Sequence, residues 1–549
     1  MRFQNDPRQS RLFDSFSEIL SPAALKRLQS GWEFVFRQAI LELMPANELG
    51  KHFSPAHGRP TKELYSMAGL ILIMEFRNWT HSQAVDAYVF DVATQYALNL
   101  EPSGQMLCER TVERYLRLFR QDEMAGQVMS DVTQRLSEML ELDVSKQRLD
   151  STHIESNMAK FGRTRLMGVA IKNFLTQLKR HDEPSYNRLR KDVRERYEPS
   201  RNQMFGDWKR EEDWSKLRQT VAEDMHYLVE RYAKNRKHKN RSTYLMMVKV
   251  FQQQCEVKVD KEEVEVQVRE STGGDIVVNP SDPDATLDGH KGVGFQVQLS
   301  ETCSDENATQ LITCAIPETA VNADSKALRS VLSHLYETEL VPRELLADTS
   351  YGSDLNHQLC ERDDIELVSP TSGRDKDCVL DEERLSTADF EIEMQQQPDC
   401  YGVQHTNPVC TACPAGHEPH RSHYDYVHDQ INILHLGETC RDCPLRNACP
   451  QEFWDRDLSV IRIKMKDVRL ERRRAAEKTD AFRERYRKRS GIEGTNSSIK
   501  RVTGMGRLRV RGRPSVFSSI LLKVAGWNIL RAAGVRELIH KLTKAVAVA

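Results

Sequence analysis

The segment YRKRSGIEGTNSSIK carries Tyr486, Arg489, Glu493 and Lys500 at offsets of 0, 3, 7 and 14. At about 100° per residue these four project within one helical stripe of roughly 60°, which sets a carboxylate between cationic groups on one face. Two further acids, Asp150 in KQRLDSTHI and Asp348 in RELLADTSYG, each end a run of strand formers and begin a polar turn. At such a point a side chain converges on a site at a sheet's edge. Three carboxylates so placed suit phosphodiester cleavage. Hard oxygen ligands hold Mg2+ or Mn2+, one ion activating the attacking oxygen and the other stabilising the leaving oxygen. Flanking Arg and Lys position phosphates, and Tyr486 packs or hydrogen-bonds nearby. For any one of these acids alone the bland alternative is a cap or turn residue. Gly491 and Gly494 also weaken the helix, so its geometry has to come from packing.

A second set of chemistry-bearing residues is soft. Of twelve cysteines, Cys400, Cys410, Cys413, Cys440, Cys443 and Cys449 fall within fifty residues. Cys410-x2-Cys413 and Cys440-x2-Cys443 form two pincers of the kind that hold structural zinc, with Cys400 and Cys449 as spares and His405, His417 and His423 as substitutes for a thiolate. The alternative is a set of reduced packing cysteines, which is also the reading for the other six. No paired base marks a catalytic thiol.

The elements that must position these residues follow from periodicity. Residues 1 to about 140 are helical: MAGLILIMEF, then Ala84, Ala87, Tyr88 and Val92, then Val112, Tyr115, Leu116 and Leu118 recur at three-to-four spacing, with Thr80 and Ser103 placed to cap or turn. This reads as a helical bundle, with a helix-turn-helix-like DNA reader or a dimerisation unit as the sharper alternative. A strand ends at Asp150, and helices return from about 160 to 255. Three strands are then expected, around Val264, Val266 and Val268, around Phe295, Val297 and Leu299, and at QLITCAI. A helix that Asp324 caps follows, then strands ending at Asp348 and spanning 365 to 370. The expected fold is a mixed α/β sheet with a helical insertion.

At 549 residues the chain exceeds the roughly 250 to 300 at which one core stops growing, so two to four packed units are expected. With 39% apolar and 29% charged residues it is not of a disordered composition. No stretch reads as the roughly 20 apolar residues of a membrane span and the start has no apolar signal core, so the expectation is a soluble, cytoplasmic protein. The net charge of −2 argues at first against a nucleic-acid partner. It is a cancellation: residues 361 to 399 carry thirteen acids and four bases, a local −9, whereas residues 462 to 513 carry nineteen bases and six acids, a local +13. A basic stripe of that density neutralises several phosphates unless it is merely a solvated face.

The spacing Tyr486, Arg489, Glu493, Lys500 resembles the signature of the insertion-sequence-four group of bacterial DDE transposases. LDSTHIESN around Asp150, LADTSYGSD around Asp348 and DPDAT at 282 to 286 resemble motifs of the insertion-sequence-eleven-eighty-two type. HGRPTKELYSMAGLILIMEF resembles that group's N-terminal transposase domain, and CPAGHEP with CRDCPLRNAC its cysteine-bearing insertion. The resemblance implies a helical N-terminal domain over 1–140 for DNA binding or dimerisation. It further implies an RNase H-like catalytic domain over 141–549, with a helical insertion at 160–255 and an acidic, Cys-rich one at about 371–455. It assigns Asp150, Asp348 and Glu493 as a Mg2+ or Mn2+ triad and Tyr486, Arg489 and Lys500 as DNA-positioning residues. The implied activity is cleavage at an element's inverted repeats and transfer to target DNA, by a dimer in the synaptic complex. The rival readings are a metal-dependent nuclease without strand transfer and a transposase-derived DNA-binding regulator.

Overall fold

The computed structural model describes all residues except 8–14, 103, 159, 199–210, 261–262, 274, 374–384, 386, 399–402, 455–456 and 549. Helices occupy the described part of the first 140 residues, among them Leu64–Phe76, Glu109–Gln121 and Met124–Leu140. Helix Leu64–Phe76 is apolar all round and twelve of its thirteen residues are buried, as a helix enclosed on every side must be. Thr80 opens helix His81–Phe90 with a reciprocal cap shared with Gln83.

Strand β1 (Lys146–Glu155) leads into helices that include Arg163–His181, Glu211–Ala233 and Ser242–Gln254, followed by the hairpin β2 (Cys255–Asp260) and β3 (Glu263–Val268). Leu166, Val169, Ala170, Leu178, Leu217, Val221, Met225 and Leu228 share a core of their own with Val266. The alternation of Val264, Val266 and Val268 is therefore a strand, but it pairs with β2 and does not join the main sheet. Val266 is buried against the inserted helices and Val268 packs at that core's margin, while Val264 stays exposed.

The main sheet comprises β1, β4 (Thr286–Asp288), β5 (Gly292–Thr302), β6 (Ile312–Thr319), β7 (Glu344–Ala347) and β8 (Glu366–Val368), in the order β4-β5-β1-β7-β8 with β6 also on β5. β5 runs antiparallel to β1, while β7 and β8 run parallel to it. Helix Asp324–Glu337 covers one face through Leu328, Val331, Leu332 and Leu335, which pack with Leu149 and Leu345. The other face, Phe295, Val297, Leu299 and Ala315, shares one continuous core with the N-terminal helices and with helix Arg513–Ala533.

Arg513–Ala533 is long and apolar enough to cross a membrane by length and composition, a length of apolar chain not expected from the sequence. Ile520 and Val524 are fully buried and Phe517, Leu521 and Leu530 pack at the core's margin, so here it is an interior helix between the sheet and the N-terminal helices. Gly526 makes that approach feasible, since a Cβ there would stand 2.1 Å from Phe76 Cβ. The DPDAT segment holds the start of this helix: Asp284 accepts from the Arg513 amide at 2.9 Å, and Asp282 from Gly512 at 3.1 Å and Ser156 Oγ at 2.7 Å.

A smaller module follows β8, with β9 (Glu391–Pro398) paired to β10 (Gln404–Ala412), and β11 (Arg421–Asp425), β12 (Gln430–Leu436), β13 (Glu452–Phe453) and β14 (Leu458–Lys464) in a second sheet. β14 feeds the helices Met465–Glu477, Asp480–Arg487 and Gly491–Thr503, which return the chain to the main sheet.

Candidate active site

The register of two parallel strands brings the first pair of carboxylates together. Leu149 and Ala347 form the last paired position of β1 and β7, so Asp150 and Asp348 are the next residues on adjacent strands. Asp348 does end its strand, and its Oδ1 accepts from the Ser350 amide at 2.9 Å as the cap of a short turn. Asp150 does not: β1 continues past it to Glu155, because β5 supplies an antiparallel partner over that whole stretch. The polar Ser151 and Thr152, which read as a turn, lie within a paired strand instead.

The third carboxylate arrives from the far end of the chain. Tyr486 ends helix Asp480–Arg487, Arg489 sits in a 3-10 turn over Lys488–Ser490, and Glu493 and Lys500 lie on helix Gly491–Thr503. The four residues thus occupy one helical path with a tightened turn in its middle, not a single uninterrupted α-helix. Arg148 on β1 fixes that turn, donating from Nη1 to Lys488 O at 3.0 Å and pairing with Glu301 at 2.6 Å, while Thr495 Oγ1 donates to Glu301 at 2.7 Å. A Cβ at Gly491 would meet the Arg148 guanidinium at 1.9 Å, so any side chain there would push Arg148 off the Lys488 carbonyl.

One guanidinium collects all three acids. Arg489 Nη2 lies 3.0 Å from Asp150 Oδ1 and 3.8 Å from Asp348 Oδ2, and Nη1 lies 2.5 Å from Glu493 Oε1. Asn496 Nδ2 donates to Asp150 Oδ2 at 3.0 Å. Burial pushes the Asp150 carboxyl up to about 6, with Asp348's charge acting the same way and Arg489 opposing. Glu493 remains largely exposed, so the cluster opens to solvent on its side.

The donor set fits a hard divalent cation. Two buried polar atoms at its heart, Arg489 Nε and Asn496 Oδ1, have no hydrogen-bond partner, and the latter is one more oxygen beside Asp150. Among the described residues no three His, Cys, Asp or Glu side chains stand close enough together to hold a metal ion. The reason at this site is visible, since Arg489 stands between the acids. A cation would have to take the place of the guanidinium.

Tyr486 stacks on Phe482, with ring centroids 5.6 Å apart, against Cys303, Leu346 and Val368. Lys500 lies further along, in a groove of about 470 Å³ shared with His153, Glu155, Lys291 and Arg507. Burial holds the Lys500 ammonium below its ordinary range. Both ring nitrogens of His153 are buried without a hydrogen-bond partner, and burial, Lys500 and Lys291 keep the ring neutral to lower pH.

Sequence reasoning missed His153, Asn496 and Lys291. Asn496 was detectable, since it stands three residues after Glu493 on the same helix. Asp324, expected as a helix cap, makes no capping bond; it accepts from Ser151 Oγ and Gln298 Nε2, each at 2.9 Å.

The basic segment is partly spent inside the molecule. Arg469 and Arg473 pair with Asp354, Arg485 with Glu344 and Glu366, Lys488 with Asp305, and Arg489 with the three acids. Much of its charge therefore docks helices on the sheet. Of the cysteines, Cys410 packs in the core of the small module, while Cys413, Cys440, Cys443 and Cys449 line one small cavity. Cys255, Cys303, Cys314 and Cys360 are buried as expected, Cys108 is exposed, and Cys378 and Cys400 lie outside the described residues. His405 and His423 do not line that cavity, whereas His417 does.

No curated protein and no solved structure matches the chain. Residues 412–533, under a quarter of the chain, match the model of a family described as "Transposase DDE domain". That span holds Glu493 with Tyr486, Arg489 and Lys500, leaves Asp150 and Asp348 outside, and supports a DDE transposase.

Proposed function

We propose that this chain is the transposase of an insertion sequence, of the insertion-sequence-four or insertion-sequence-eleven-eighty-two type. It binds the terminal inverted repeats of its element, cleaves the DNA and joins the freed end to target DNA. One observation carries the reading: three carboxylates from β1, the end of β7 and a helix more than a hundred residues further on all reach the guanidinium of Arg489. Elsewhere in the chain one arginine pairs with two acids, as Arg485 does with Glu344 and Glu366; three acids from distant segments around one cation match the carboxylate set that a divalent-metal site uses. The family match over 412–533 and the mixed sheet support the same reading, with an RNase H-like fold for the catalytic part.

Asp150, Asp348 and Glu493 would hold Mg2+ or Mn2+, with Asn496 Oδ1 beside them. When bound, the cation supplies activation of the attacking oxygen and stabilisation of the leaving oxygen. The chain's own residues do the rest. Asp150 would serve as a ligand in its ionised form, in which its two oxygens accept from Arg489 and Asn496. Arg489, released from the acids, is placed to pair with the phosphate next to the scissile bond. Lys500, with Lys291 and Arg507 along the groove, neutralises the phosphates that follow, and Tyr486, stacked on Phe482, packs beside the acids. The helices of residues 1–140 read as the DNA-binding or dimerisation part, with residues 141–549 as the catalytic part, acting as a homodimer in the cytoplasm at the nucleoid.

The test supplies a pre-cleaved inverted-repeat end, target DNA and Mg2+. Joined product supports the transposase. Cutting without joining supports a nuclease, and binding without either reaction supports a DNA-binding regulator.

A further inference from the structure

We propose that Cys413, Cys440, Cys443 and Cys449 form a structural zinc site that staples the small module between β9 and β14. These four residues, with His417 and His435, line a cavity of about 20 Å³, room for a single ion. They come from three places: the turn after β10, the short helix Gly437–Arg441, and the loop that follows it. The set differs from two simple pincers. Cys410 is 2% exposed, donates its thiol to Ala412 O at 3.3 Å and faces Ile431 and Ile433 in the module's core, whereas Cys449 joins the cavity.

Two observations separate a ligand site from packing cysteines. His435, on β12, is 2% exposed, lines the cavity and leaves its Nε2 without a hydrogen-bond partner. A buried imidazole nitrogen next to neutral thiols loses the hydrogen bond it had in water, whereas next to a thiolate it becomes a donor to sulfur. Ser459 Oγ already donates to Cys440 Sγ at 2.9 Å, the bond a thiolate ligand calls for. Zinc binding releases one proton per thiol, and Arg446 beside the cavity offsets part of the negative charge that results.

The module has reason to need a staple. Its core is Phe390, Cys410, Ile431, Ile433, Ile461, Ile463, Met465 and Val468, too few apolar side chains to hold a fold of this size alone. Its β14 runs directly into the helix whose Arg469 and Arg473 dock on Asp354, two helices before Glu493. As they stand, no three of the cavity's thiol and imidazole side chains are close enough together to hold an ion, so ligation requires side-chain rotation within the cavity to a Zn–S distance of about 2.3 Å.

Elemental analysis of the full chain folded with zinc tests this, together with the visible spectrum of the cobalt-exchanged protein. The expected result is about one zinc per chain, retained in Cys410→Ser and reduced at least tenfold in affinity in Cys443→Ser and Cys449→Ser, with strong thiolate-to-cobalt absorption. Zinc below about 0.3 per chain in the wild-type protein, or loss of metal in Cys410→Ser equal to that in Cys449→Ser, overturns the proposal. Should the serine variants fail to fold, the cobalt spectrum of the wild-type protein decides: absence of thiolate bands, or a disulfide among the four, overturns it.

Discussion

The carboxylate cluster and the cysteine cavity both gather ligand-type side chains from distant parts of the sequence, yet they are built in opposite ways. The acids sit on two adjacent interior strands of the main sheet and on a helix beside them, open to solvent on the Glu493 side, with a protein cation already among them. The thiols line a small cavity whose charged lining, among the described residues, is Arg446. An open site neutralised by a movable arginine can exchange its cation and admit substrate, whereas a closed soft site holds its ion for the life of the fold. On the proposed reading, that difference gives chemistry to the first and stability to the second.

Metal removal separates the two regions most strongly. Chelation of Mg2+ is expected to cut DNA cleavage by about a thousandfold or more, with full recovery on adding Mg2+ and no change in circular dichroism. Stripping the thiol-bound metal is expected to lower the melting temperature, and Mg2+ will not restore it. Arg489→Ala is the next largest change: without DNA or metal it leaves three acids facing one another and costs about 2–4 kcal/mol of stability. Mg2+ then raises the melting temperature of Arg489→Ala more than that of the wild-type protein. Equal shifts in both proteins mean that the guanidinium does not hold the cation's place.

Asn496→Ala is expected to lower cleavage about 10- to 100-fold by loosening Asp150, with zinc content unchanged. The smallest effect lies beneath the carboxylate site, where Lys523 donates to Thr503 O at the end of the Glu493 helix at 2.7 Å and to Glu75 O at 2.6 Å. Burial holds its ammonium down to about 8, against 10.5 in the unfolded chain. Between those values the unfolded state binds the extra proton, so stability rises with pH across the window. Relative to Lys523→Met, the wild-type protein gains about 1–2 kcal/mol between about pH 7.5 and about pH 10 in urea unfolding. A flat difference contradicts the buried ammonium.

The sequence made the local parts of this comparison legible and left the non-local parts dark. Alternation at Phe295, Val297 and Leu299 and the helical spacing of Leu328, Val331 and Leu335 depend on neighbours in the chain, and the structure has strands and a helix there. Asp348 was readable because the strand really stops. Asp150 was readable as a site acid but not as an interior strand residue, since its strand is prolonged by pairing with β5, some 150 residues away. The shared core of the N-terminal helices with the sheet is likewise non-local, as are the carboxylates that absorb the basic run and the choice of Cys449 over Cys410. Val264, Val266 and Val268 show the same limit: the period identifies a strand and says nothing of its partner.

The central claim is that Asp150, Asp348 and Glu493 act as one cation site. Its most direct test is single-turnover cleavage of an end-labelled inverted-repeat DNA in Mg2+ by Asp150→Asn, Asp348→Asn and Glu493→Gln, each checked for intact folding and DNA binding. The expected result is that each variant alone loses cleavage by about a thousandfold or more while DNA affinity stays within a few-fold of wild type. Near-wild-type cleavage by any one of the three contradicts the account.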